Sequence, residues 1–233
     1  MNAKQKRAYH SERFLRYPGS KGRTGILHLI RSYFPDDYAE YREPFCGSAS
    51  VALSLPTWIP RWINDVNPHL IKVFKALKET PNELIESCVS IPPATPDDPV
   101  YISPKGYVYP KRLKEKYDEL IEHESADPAL RYLFLNRTAF QGRVVLDPSR
   151  RSRNNFTNPK GWSWDFFERL DRVADALADV RITCGDFTPL LRADGADVLV
   201  YADAPYMCDT RCSSKLYEFG LTDADHRRLR DWG

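Results

Sequence analysis

No stretch of this chain is apolar for long enough to cross a bilayer. Its start, residues 1–16, is polar and basic and has no hydrophobic centre of the kind a secretory signal needs. Both absences point to a cytoplasmic protein. Neither charge is in excess: 34 Lys and Arg stand against 32 Asp and Glu, a net charge of +2 over 233 residues. A nucleic-acid surface must therefore come from local clustering. Cysteine is sparse and scattered, at Cys46, Cys88, Cys184, Cys208 and Cys212. An odd, dispersed set in a chain of this length reads as reduced thiols, not as a disulfide framework. Cys208, Cys212 and His226 have poor zinc spacing and no evident fourth ligand, so no metal is expected. Internal repeats are absent. So is G-x-G-x-x-G, which makes a nicotinamide enzyme the poorer reading.

What is present is an alternation of strand-like and helix-like segments. The spacing predicts helices over 25–34, 68–79, 111–124, 128–137 and 164–178. Residues 37–45, 61–65, 181–184 and 197–201 read as strands, the last of them buried. Residues 51–55 start a short helix that Pro56 stops. Residues 91–110 hold Pro92, Pro93, Pro96, Pro99, Pro104 and Pro110 and read as mostly irregular. The pattern predicts an α/β sheet carrying an inserted domain.

Three predicted strands end in groups able to bind a nucleoside. Gly47 with Ser48, Ala49 and Ser50 lets a ligand approach the backbone, and a following helix start favours an anion. Asp65 ends the next strand, where doubly wound folds place an acid on ribose hydroxyls. The last strand runs into Asp203-Ala204-Pro205-Tyr206. There an acid and the next backbone carbonyl can hold an NH2 group while the aromatic ring stacks on the base that carries it. Methyl transfer to the exocyclic amine of a nucleobase is one of the few chemistries needing all three.

These segments carry a family resemblance. Arg16-Tyr17-Pro18-Gly19-Ser20-Lys21 resembles the K/R-W/Y-x-G-x-K motif of the Dam-type (D12 class) DNA adenine-N6 methyltransferases. Glu43-Pro44-Phe45-Cys46-Gly47-Ser48-Ala49-Ser50 resembles their E-P-F-x-G-x-G-S loop, and Asn64-Asp65-Val66-Asn67-Pro68 their D-x-N-P. Leu135-Asn136-Arg137-Thr138-Ala139-Phe140-Gln141-Gly142 resembles L-N-R-x-x-F-N-G, and Asp203-Ala204-Pro205-Tyr206 resembles D-P-P-Y. Phe219 to Leu229, with Asp225-His226, follows F-x-x-x-D-H-x-x-L.

The resemblance implies a bacterial or phage-encoded enzyme that takes a methyl group from S-adenosyl-L-methionine to adenine N6 in double-stranded DNA. It implies a Rossmann-like catalytic domain, residues 1–80 and 181–233, and an inserted, mainly helical recognition domain, residues 81–180. Tyr17, Lys21, Asp65 and Asp203 match its cofactor-contacting positions. The loop of Phe45, Gly47 and Ser48 would face the methionine moiety, and Asp186 would lie near the cofactor adenine. Asp203 and Ala204 would accept the two N6 hydrogens, Pro205 would stiffen the turn, and Tyr206 would stack on the flipped base. Asn136, Arg137, Arg143, Arg150, Arg151 and Arg153 would contact DNA. Trp162 and Trp164 are expected to be packing residues.

The chain departs from the pattern in places. Ala49 stands where the family has Gly and is expected to put a methyl group beside the cofactor path, and Ala204 replaces the first Pro of the catalytic turn. The family continues with further strands, so a C-terminal part or companion chain is expected to complete the sheet. Two other readings follow: a catalytically inactive or split fragment acting as a DNA-binding module, and methylation of cytosine N4.

Overall fold

The computed structural model describes residues 14–17, 19–22, 24–153, 155–205 and 219–232. In chain order it forms α1 (Thr24–Ser32), β1 (Glu40–Glu43), β2 (Arg61–Asp65), α2 (Pro68–Glu79), α3 (Pro81–Val89), β3 (Val100–Ile102) and β4 (Val108–Pro110). Then come α4 (Lys111–Glu122), α5 (Pro128–Thr138), α6 (Trp164–Leu177), β5 (Val180–Cys184), α7 (Thr188–Arg192), β6 (Val198–Val200) and α8 (Asp223–Arg230). Two compact units result. One holds Gly19–Ile71 and Ala176–Gly233, the other Phe14–Pro18 and Lys72–Asp175.

The first unit is a parallel sheet in the order β5-β2-β1-β6. All five residues of β2 are buried, as befits a central parallel strand covered on both faces. The order reverses beside β1: β2 lies on one side of it and β6 on the other. Such a reversal opens a crevice at the carboxyl ends of the strands, the usual ligand position in open α/β sheets. Trp62 of β2 is buried with the Arg181 guanidinium 3.5 Å from its ring centre and that of Arg42 at 5.5 Å. Arg42 is also buried and donates to the carbonyls of Leu190, Ala193 and Asp194. The expectation of a buried last strand is corrected. Every residue of β6 is half-buried, because among the described residues β6 pairs with β1 alone.

The second unit centres on α5, which is buried from Ala129 to Thr138. A helix enclosed all round carries no amphipathic stripe. Its start is set by Asp127, whose carboxylate accepts from Leu130 N at 2.8 Å, with Pro128 in the first turn. Trp162 is wholly buried against Phe134, Phe166 and Phe167, and its Nε1 donates to the Ile91 carbonyl at 2.6 Å. Trp164, expected to pack, is half exposed and meets Phe167 edge-on.

Residues 91–110 are less irregular than their prolines suggest. β3 and β4 form an antiparallel hairpin in which Val100 pairs with Pro110. Proline is tolerated there because an edge position needs no N–H in the ladder.

Candidate active site

One side chain ties together the carboxyl ends of three strands. Asn64 Nδ2 donates to the Pro44 carbonyl after β1 at 3.1 Å and to the Gly185 carbonyl after β5 at 3.0 Å. Its Oδ1 accepts from the Thr183 hydroxyl at 2.9 Å, which in turn accepts from Trp62 Nε1 at 2.9 Å. Asn64 stands in a family motif, but no role for it is legible in the sequence. Two of its partners, Thr183 and Gly185, lie 119 and 121 residues away in the chain.

The loop after β1 turns sharply through two left-handed residues, Gly47 at φ 46° and Ala49 at φ 50°. Glycine adopts this region freely, whereas an L side chain does so at a cost of about 1–2 kcal/mol. Ala49 is wholly enclosed by protein. The burden of its methyl group is therefore backbone strain, not obstruction of a ligand path as expected. Gly47 N donates to Asp65 Oδ2 and Asn67 N to Asp65 Oδ1, each at 2.9 Å. Burial pushes the Asp65 carboxyl up, while these amides oppose the shift. The hydroxyls of Ser20, Ser48 and Ser50 form a triangle with sides of 2.9, 3.2 and 2.8 Å. The helix start expected after this loop is only a 3-10 turn, Ala52–Ser54. The Ala52 amide serves Glu43 at 3.1 Å and offers nothing to an anion.

Glu43, unassigned from sequence, ends β1 as a buried acid. Its Oε2 accepts from the Tyr41 hydroxyl at 3.0 Å as well as from Ala52 N. Burial pushes its carboxyl to about 8, with Asp203 and Asp65 adding repulsion against those two hydrogen bonds. Asp203, just past β6, forms an ion pair with Lys21, whose Nζ also donates to the Gly19 carbonyl at 3.0 Å. The Asp203 side chain remains 33% exposed. Ala204 and Pro205 follow, half-buried; Tyr206, Cys208 and Cys212 lie outside the described residues.

Beyond β5, the Phe45 and Phe187 rings lie 5.2 Å apart. Asp186 is exposed and accepts from Arg228 of α8 at 2.6 Å and from Thr188 N at 2.8 Å. Against a cost of burial, these bonds hold the Asp186 carboxyl below its ordinary range. Acids at adjoining strand ends, a close-turning loop and paired aromatic rings suit a cationic nucleoside.

A family model for the D12 class of N6 adenine-specific DNA methyltransferases matches residues 17–232. The chain belongs to this family. Members of such families generally use S-adenosylmethionine and act on DNA. The chain is 23% identical over 236 residues to the type II methyltransferase M1.LlaDCHI of Lactococcus lactis subsp. cremoris, covering 99% of this chain and 79% of the relative. To the DNA adenine methylase of Haemophilus influenzae it is 29% identical over 201 residues, 83% of this chain and 63% of the relative. To the DNA N-6-adenine-methyltransferase of Escherichia phage P1 it is 27% identical over 187 residues, 79% and 23%.

The methyltransferase's expected DNA contacts fall in the second unit, as does half-buried Tyr17. Two of those contacts are corrected. Asn136 is fully buried: its Nδ2 donates to the carbonyls of Arg16 at 2.6 Å and Gly142 at 2.8 Å, and its Oδ1 accepts from Arg16 N at 2.9 Å. Arg137 is buried as well, donating to the Gly161 and Phe14 carbonyls at 2.9 and 3.2 Å over the face of Phe166. The Asn136 side-chain atoms and Nε and Nη1 of Arg137 are committed to backbone inside the unit. Gly142 is held to glycine by the same contact: φ is 73°, and a Cβ there would meet the Arg16 carbonyl oxygen at 2.0 Å. Arg131, in the same basic stretch, caps α4 through the Leu120 carbonyl at 2.7 Å. Arg143 and Arg150 are half-buried, and the side chains of Arg151 and Arg153 lie outside the described residues. Among the described residues, no His/Cys/Asp/Glu cluster suits a metal ion and no helix is long and apolar enough to cross a membrane.

Proposed function

We propose that this chain methylates adenine N6 in double-stranded DNA with S-adenosyl-L-methionine as donor, holding the amine at the Asp203–Tyr206 turn. One observation carries the assignment of the turn. Four acids stand at or just past strand ends: Glu43 and Asp65 are buried with oxygens on backbone amides, and Asp186 lies beyond the outer strand β5, paired with Arg228. Asp203 keeps a partly exposed carboxylate beside the point where the strand order reverses.

When bound, the donor supplies a sulfonium methyl group. That methyl group would serve as the electrophile for N6, which would give up one proton to water. The chain's part is to bind and orient. Asp203 and the Ala204 carbonyl accept the N6 hydrogens of an adenine flipped out at a cost of a few kcal/mol, and Tyr206 stacks on it. Gain in rate comes from positioning and from fixed dipoles facing the developing charge. Gly47, Ser48, Phe45, Asp65 and Asp186 line the donor side. A recognition insertion over residues 81–180, most of it in the second unit, offers Arg143, Arg150, Arg151 and Arg153 to phosphates.

The test is transfer of labelled methyl to DNA from a methylation-free host, followed by mass analysis of nucleosides. N6-methyladenine from the wild type, and a loss of roughly 10²–10³-fold in Asp203→Ala, are expected. N4-methylcytosine would replace the adenine reading. DNA binding without cofactor binding or transfer would leave a DNA-binding module.

A further inference from the structure

We infer that Asn64 and Thr183 are positioning residues that hold the two ends of the donor site at a fixed span, a role that rests on S-adenosylmethionine being the donor. On that reading the loop of Phe45, Gly47 and Ser48 takes the methionine end, and the turn of Gly185 and Asp186 takes the adenine end. Asn64 grips both. On the loop side its Nδ2 donates to the Pro44 carbonyl at 3.1 Å, and its own carbonyl accepts from Cys46 N at 2.9 Å, so Phe45 is bracketed. On the turn side the same Nδ2 donates to the Gly185 carbonyl at 3.0 Å, while Gly185 N donates to the Asp65 carbonyl at 3.0 Å. Gly185 has φ 129°, and a Cβ there would meet nothing within 4 Å. Glycine is required at this point by the backbone direction that brings its carbonyl to Asn64, and not by want of room.

The direction of the clamp is set further back in the sheet. The Trp62 indole can only donate, and its Nε1 lies 2.9 Å from Thr183 Oγ1. The hydroxyl accepts there and keeps its own proton for Asn64 Oδ1 at 2.9 Å, a nearer acceptor than the Ile63 carbonyl at 3.5 Å. With Oδ1 turned to Thr183, the amide presents Nδ2 to the two carbonyls. Asn64 is buried, and both of its amide hydrogens are spent. A buried polar network in which each member is satisfied holds one geometry. A ligand that bridges both ends of the site gains from their fixed span, whereas a fragment held at one end does not.

Thr183→Val, Thr183→Ser and Asn64→Ala are compared with wild type in the full chain. Calorimetry gives the Kd and stoichiometry of S-adenosylmethionine. Ligand-detected NMR titration gives the Kd of 5′-methylthioadenosine, which lacks the amino-acid end, and thermal melting reports folding. Thr183→Val is expected to raise the S-adenosylmethionine Kd about tenfold at unchanged stoichiometry, while the 5′-methylthioadenosine Kd stays within about threefold of wild type. Thr183→Ser keeps the hydroxyl and restores wild-type affinity. Asn64→Ala shows the same split with a larger loss.

Equal losses for the two ligands would mean that the relay only supports the adenine turn, and would overturn the inference. So would wild-type affinity in Thr183→Val, failure of Thr183→Ser to restore binding, or a wild type that binds S-adenosylmethionine but not 5′-methylthioadenosine. A wild type that binds neither overturns instead the functional reading beneath it. If Asn64→Ala melts early, the two Thr183 variants, which differ from wild type by one hydroxyl or one methyl group, still decide.

Discussion

Two pairs of polar residues from family motifs, one pair in each unit, behave in opposite ways. In the second unit, Asn136 and Arg137 are sealed and their hydrogen-bonding groups engage backbone carbonyls. At the sheet's carboxyl ends, Asp203 and Lys21 keep exposed surface and share a single ion pair. A motif residue can serve the fold or the chemistry, and the letters alone do not say which. Burial and unused hydrogen-bonding capacity do.

Four substitutions put this contrast at risk. The largest effect is expected from Asn136→Ala, which leaves the Arg16 amide and two carbonyls without partners: a loss of about 4 kcal/mol in urea unfolding, at 1–3 kcal/mol per orphaned group. A DNA-reading Asn136 would instead lose DNA affinity at unchanged stability. Arg137→Lys breaks the fork to Gly161 and Phe14 and is expected to cost about 2 kcal/mol by the same measurement. Unchanged unfolding midpoints would sink the structural assignment of Arg137.

Glu43→Gln tests the other region. Glu43's carboxyl is raised from its ordinary 4.5 to about 8. Across that window the folded state keeps a proton that the unfolded state has released, so stability falls as pH rises. Gln keeps the acceptor for Tyr41 and Ala52 without the proton. The variant should match wild type near pH 5 and exceed it by about 2 kcal/mol near pH 8; parallel pH profiles would remove the buried-acid account. Smallest is Ala49→Gly. Relief of the left-handed strain, about 1–2 kcal/mol, is partly offset by the freer unfolded chain, about 0.4–1 kcal/mol. A net gain of about 0.5 kcal/mol is expected in thermal melting, and a loss would mean that the enclosed methyl group packs more than it strains.

Long periodic elements were legible in the sequence. α2 and β2 have the bounds that their apolar spacing predicts, Pro68–Glu79 and Arg61–Asp65. Short elements among prolines were not. Each strand of the β3–β4 hairpin has three residues, too few for alternation to register. α3 begins at Pro81, where the proline marks a helix start that no long apolar pattern announced. The sequence placed acids at strand ends, because family motifs end strands there. It could not separate Glu43 from Asp203, since that difference is one of burial. Nor could it find the clamp at Asn64, whose partners are fixed only once three strands lie side by side.

The strand order also bears on how the molecule reaches its final form. β1 meets β6, and β2 meets β5, only after the chain has passed through the whole of Lys72–Asp175. That segment makes its own contacts at short sequence separation, whereas the sheet closes over a long loop, and long-range closure is slow. Pulse-labelling hydrogen exchange during refolding should protect the α5 amides before those of β1. The Asp203 edge is then expected to assemble last, so Asp203 reaches its place beside Lys21 only in molecules that have finished folding.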